Sequence, residues 1–234
     1  GRKPALEKTQ RRERHRANPS ELTMMKYVAF ALNALAFLFV LVCLGGANAD
    51  IGWSKMTRKI NNCDYTINAG LLSVKSWSSC TKGVATTTIY DCDSCTNNQV
   101  FGSACNDCDS SGKGVLSMTV FAFVLMLVIL GLQGTRFVGK AWGKMMMASL
   151  CFANAFLFFL MWTIWVGGCD KKIQDTADGW DKNVDAGWAF AFLGFLLAAG
   201  AGVIELLCMP SGGGEGVDYT QPYSQQNDEN KAAV

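Results

Sequence analysis

The sequence contains one histidine, His15, and it lies in a basic N-terminal segment. Histidine-based catalysis and histidine metal ligation are therefore excluded from the apolar part of the chain. Acid is equally scarce there. Across four long apolar runs the only carboxylate is Glu205, about one turn from the end of the last run. That position predicts an interfacial acid meeting Lys144 or Arg136 rather than a buried proton relay. No run holds a charged pathway or a nucleophile beside a base, so neither an enzyme nor a cofactor is expected, and nothing predicts a nucleic-acid partner. No Asn-x-Ser/Thr sequon survives, because Asn18-Pro19-Ser20 is disqualified by its proline.

What the chain does have is four runs, at 24–46, 115–132, 145–168 and 186–208. Each is about long enough to cross a hydrocarbon core of ~30 Å as a helix rising 1.5 Å per residue. The predicted fold class is all-α membrane: a four-transmembrane-helix bundle with a disulfide-rich first outer loop, 47–114, that contains short β structure. Residues 1–23 form a basic N-terminal segment, 133–144 a short link, 169–185 a short second loop, and 209–234 a polar tail that cannot bury a core. Asn18-Pro19-Ser20-Glu21 reads as a helix start, with proline at the first helical position. The first run ends in Ala47-Asn48-Ala49, which matches a signal-peptidase site. Its apolar length exceeds the 7–15 residues of a signal core, so an uncleaved anchor is expected.

Charge orients the bundle. Arg2, Lys3, Lys8, Arg11, Arg12, Arg14, Arg16 and Lys26 precede or open the first run, and the 133–144 link carries Arg136, Lys140 and Lys144 without an acid. Basic residues near span ends favour the cytosol, which places both termini and this link inside, in a vesicle, endomembrane or plasma membrane. Arg11, Arg12, Arg14 and Arg16 are candidates for contact with anionic headgroups on that side. Cys208, at the inner end of the last run, is a lipidation candidate.

Six cysteines, Cys63, Cys80, Cys92, Cys95, Cys105 and Cys108, fall in the first outer loop and Cys169 opens the second. An oxidising compartment makes all seven disulfide candidates, although an odd set leaves one to stay free or pair elsewhere. Cys92, Cys95, Cys105 and Cys108 also form a C-x2-C…C-x2-C array, so tetrahedral zinc is the alternative. The β-branched stretch Val84–Tyr90 reads as a strand.

Within the runs, Asn33 and Asn154 sit in similar Asn-Ala contexts at comparable depth. An amide facing lipid is costly, so a contact between the two, direct or through a third group, is expected. Gly194, Ala198 and Gly202 share one helical face and permit close helix approach. Trp142, Trp162, Trp165 and Trp188 fall near run ends, where indoles favour the interface.

Phe158–Cys169, read as F-F-L-M-W-T-I-W-V-G-G-C, is similar to the aromatic third span of synaptogyrins, and Tyr219–Gln226 to their Tyr/Gln/Pro tails. With four spans, inside termini and a cysteine-bearing first loop, the chain resembles the MARVEL-type vesicle families of synaptophysins and synaptogyrins. A second resemblance is to the claudin-like group: Trp53…Gly70-Leu71-Leu72…Cys80…Cys92 is similar to its Trp…Gly-Leu-Trp…Cys…Cys signature, with Leu72 in place of the tryptophan. The expected role is a non-enzymatic membrane-organising or accessory subunit, with other membrane subunits and lipids as partners. A channel-forming or channel-modulating subunit is the alternative.

Overall fold

The computed structural model describes residues 19–47, 50–81, 86–89, 104–138, 142–176 and 179–208. Among the described residues four helices are long and apolar enough to cross a membrane, which makes this a multi-pass membrane protein. They are α1 (Pro19–Gly45), α2 (Cys105–Phe137), α3 (Lys144–Trp165) and α5 (Ala186–Cys208). A π-helical turn at Val166–Asp170 and a short helix α4 (Lys171–Thr176) prolong α3 in the same direction.

α1 packs on α2 and α5, and α3 packs on the same two helices, so the four close into a ring. Small side chains recur along the seams of α1 and α5. Ala29, Asn33, Ala36, Val40 and Cys43 are buried along α1 at intervals of four and three, the spacing that keeps one face on a partner. On α5 the buried face is Gly187, Ala191, Gly194, Ala198, Ala201, Gly202 and Glu205. Large exposed side chains such as Leu38, Phe121, Phe156 and Leu196 point away from these seams, as a bundle solvated by lipid requires.

Two helices run further than their apolar stretches. The first two and a half turns of α2, Cys105–Lys113, are polar and still helical: one side buries Cys105, Cys108, Ser111 and Gly112, and on the other Lys113 pairs with Asp109 at 2.6 Å. The segment expected to be loop is therefore a helical stalk above the membrane span.

The loops at this end make one five-stranded antiparallel sheet, in the order β4-β3-β2-β1-β5. Its strands are β1 (Ser54–Ile60), β2 (Cys63–Ala69), β3 (Ser73–Ser78), β4 (Thr86–Ile89) and β5 (Asp181–Val184). The β1–β2 turn places Asn61 and Asn62 at positive φ, 50° and 63°, the conformation a two-residue hairpin turn demands and asparagine tolerates. β5 comes from the short second loop, and pairing Ser54 with Val184 and Thr57 with Asp181 adds it beside β1. The 169–185 segment is therefore a structural part of the cap rather than a plain connector.

Residues directly opposite one another share a face. Ser54, Met56, Ile67, Ala69 and Val74 form the buried end of one face. Lys55, Thr57, Lys59, Asn68, Lys75 and Trp77 occupy the opposite face.

Candidate functional site

The sheet and the bundle meet at a junction built from both loops and all four long helices. Gly52-Trp53 is its centre. The Trp53 N–H donates to the Ala69 carbonyl at 2.7 Å, and the Trp53 and Gly52 carbonyls accept from Asp185 and Gly187 at the start of α5. The Trp53 ring is fully buried, with its centroid 5.7 Å from that of Trp165. A Cβ on Gly187 or Gly46 would fall 2.5 or 2.6 Å from the Trp53 Nε1, so both positions exclude any side chain.

Ser54 extends this junction. Trp165 Nε1–H donates to Ser54 Oγ at 2.9 Å, and Ser54 Oγ–H donates to Asp170 Oδ1 at 2.8 Å. The π-helical turn inserts one extra residue per turn and carries Asp170 to this strand. Beside it Cys169 is bonded to Cys108, a disulfide that locks the stalk of α2 to the top of α3. Leu71 and Leu72 donate backbone N–H to the Gly46 and Ala47 carbonyls, at 3.0 and 3.1 Å, satisfying orphan groups just past the end of α1. Leu71 also lies against α2 so closely that a Cβ on Gly112 would fall 1.7 Å from its carbonyl oxygen.

A second polar cluster lies at the far end of the bundle. Arg136 Nη1 donates to Glu205 Oε2 at 2.6 Å and Oε1 at 2.9 Å, and Gln133 Nε2 adds a third donor at 3.1 Å. Arg136 Nη2 reaches the Trp142 carbonyl at 3.3 Å, and Trp142 Nε1–H donates to Thr135 Oγ1 at 2.6 Å. Glu205 thus ties α5 to α2 and to the link before α3. Of the two bases expected to meet it, Arg136 is the partner, and the carboxylate is buried between the helices.

The remaining candidate residues divide clearly. Cys63 is bonded to Cys80, joining β2 to the turn after β3. Cys105 is disulfide-bonded as well, so neither it nor Cys108 offers a thiolate, and the four-cysteine zinc reading is overturned. No group of three or more metal-ligating side chains converges among the described residues. The odd cysteine of the second loop is accounted for by Cys108. Cys92, Cys95, Arg11, Arg12, Arg14, Arg16 and the 209–234 tail lie outside the described residues. Cys208 is a partly exposed free thiol at the last residue of α5.

Asn33 and Asn154 are both fully buried, and no direct hydrogen bond joins them among the described residues. Asn33 Nδ2 donates instead to Cys151 Sγ at 3.6 Å, and both polar atoms of the Asn154 amide lack a partner among the described residues. Gly194 and Gly202 do permit close approach, against the rings of Phe158 and Phe152 on α3, and Ala198 is buried between them. Trp165 lies at the end of α3. It is buried because the sheet covers it and Ser54 accepts its N–H.

Sequence reasoning singled out neither Ser54 nor Asp170 nor Gly112. The glycine pair Gly167-Gly168 before Cys169 was the available signal, since a Cβ on Gly168 would strike Ser111 Oγ at 1.8 Å. No family model matches the chain, and no curated protein matches it.

Proposed function

We propose that the chain is a non-enzymatic four-span subunit that organises or accompanies other membrane proteins, with its sheet on the outer or lumenal side and both termini in the cytosol. The observation that carries this reading is the junction. Backbone hydrogen bonds from Trp53, Leu71, Leu72 and Gly187, the Trp165–Ser54–Asp170 chain and the Cys108–Cys169 bond fix the sheet on the helices. A binding surface held rigidly on a membrane anchor loses little conformational freedom on association. The polar residues of the bundle with named partners, Glu205, Arg136 and Thr119, are held in structural contacts, which favours a scaffold over a conduit.

The junction also favours one of the two resemblances. Trp53 and Gly70-Leu71-Leu72, which carry the similarity to the claudin-like group, are the residues that seat the sheet. This supports the claudin-like reading ahead of the vesicle-family one.

The test is isolation of the intact protein from its native membrane in lipid nanodiscs, followed by mass and copy-number measurement. A defined heteromeric assembly holding this chain in fixed ratio with a larger membrane protein is the expected result. A closed homo-oligomeric ring that conducts ions in planar bilayers overturns the accessory role in favour of a channel.

A further inference from the structure

The buried polar groups of the bundle are not all accounted for by protein contacts. Asn33 on α1, and Cys151 and Asn154 on α3, are each fully buried. Cys151 and Asn154 are three residues apart and so lie on one helical face. The 3.6 Å contact from Asn33 Nδ2 to Cys151 Sγ brings the α1 amide to that same face. Three polar atoms in this small region find no hydrogen-bond partner among the described residues: Asn33 Oδ1, Asn154 Oδ1 and Asn154 Nδ2.

We propose that Asn33, Cys151 and Asn154 form an internal hydration site, holding at least one ordered water between α1 and α3. The chemistry selects the occupant. The open positions are two acceptors and an NH2 donor group, and water both donates and accepts, with about three hydrogen bonds per buried molecule. A hard cation is a poor fit, because two amide oxygens fall far short of the six to eight oxygen ligands calcium takes, and a thiol is a soft group. The site also accounts for two buried asparagines, one meeting Cys151 and one a helical turn beyond it, with no hydrogen bond between them: water supplies the intervening donors and acceptors.

Cys151 reports on the site directly, because a thiol proton exchanges with water only where water reaches it. Cys43 is the internal reference, a fully buried free thiol nearer the sheet whose Sγ lies 3.9 Å from the Gly187 carbonyl. The full-length protein in lipid vesicles is moved from H2O to D2O, and the infrared S–H stretching band is followed. Cys151→Ala and Cys43→Ala identify each thiol by difference, and serine substitutes at either position where alanine does not fold. The expected result is conversion of Cys151 S–H to S–D on the order of tenfold or more faster than Cys43, with Asn33→Leu slowing Cys151 alone. Equal persistence of the two bands shows a dry core and overturns the site. Equal, rapid loss of both shows general opening of the bundle and overturns it as well.

Discussion

Removing either partner of the Arg136–Glu205 pair tests the polar lock at the far end of the bundle, and the two removals are not equivalent. The carboxylate side chain is 1% exposed and the guanidinium 10%. Charges about 4 Å apart attract by ~4 kcal/mol at an effective dielectric of ~20, while desolvating each ion costs several kcal/mol. The pair as a whole therefore contributes little net stability, but an orphaned member is expensive, by ~3–5 kcal/mol. Glu205→Leu leaves Arg136 in the last turn of α2, with the Trp142 carbonyl and a path towards headgroups. Arg136→Met leaves Glu205, among the described residues, with the Gln133 amide as its remaining donor, on a fully buried carboxylate. Arg136→Met should accordingly cost ~3–5 kcal/mol, and Glu205→Leu less, about 1–3 kcal/mol. The double variant should lie within about 1 kcal/mol of wild type or above it, because it removes both desolvation penalties. Reversible unfolding in mixed micelles, run as a double-mutant cycle, measures all four corners. Additive losses, or singles that each cost under ~1 kcal/mol, would refute the argument that the charges hold one another.

The other predictions concern the cap and the seams. Gly112→Ala should destabilise by ~1–3 kcal/mol or more, since the added methyl meets the Leu71 backbone. Gly131→Ala, with nothing within 4 Å, should be neutral or gain up to ~1 kcal/mol in the same unfolding assay. Graded reduction followed by peptide mapping should open Cys63–Cys80, whose Cys80 is exposed, before Cys108–Cys169, whose two residues are fully buried. Simultaneous opening would mean that the junction admits reductant freely. A membrane-impermeant amine reagent applied to sealed, oriented membranes should modify Lys113 and Lys171 but not Lys140 or Lys231. Modification of Lys140 would overturn the assigned orientation.

The spans were legible because lipid imposes length and uniform apolarity, two properties that survive in sequence without knowledge of neighbours. The sheet was legible only at Val84–Tyr90, part of which is β4. β1 and β2 were hidden by their outward residues: Lys55, Lys59, Asp64 and Asn68 have low strand propensity, yet alternate with Ser54, Met56, Ile67 and Ala69 facing the core. The period-two signal was present and was masked by composition. The stalk of α2 was illegible for a related reason. Asp107, Asp109, Ser110, Ser111 and Gly112 do not read as a helix; in the fold Ser111 packs against Gly168 of the π-helical turn and Gly112 against Leu71 in the β2–β3 turn, contacts that no local pattern announces.

The candidate site was harder still, because what decides it is which loops meet. Counting cysteines showed that Cys169 needed explanation, but its pairing with Cys108 depends on α2 and α3 both continuing past the membrane. Those extensions bring the second loop beside the first, and β5 then completes the sheet at Ser54. One residue belongs to every layer of this arrangement. Ser54 pairs in register with Ala69 and Val184, accepts from Trp165 and donates to Asp170. A small hydroxyl suits that place because it both donates and accepts while fitting under a sheet. Serine in a lysine-rich stretch carries no sequence signal of such a role. The junction is therefore a property of topology: its residues have ordinary types, and their meaning comes from four helices that fix where two loops end.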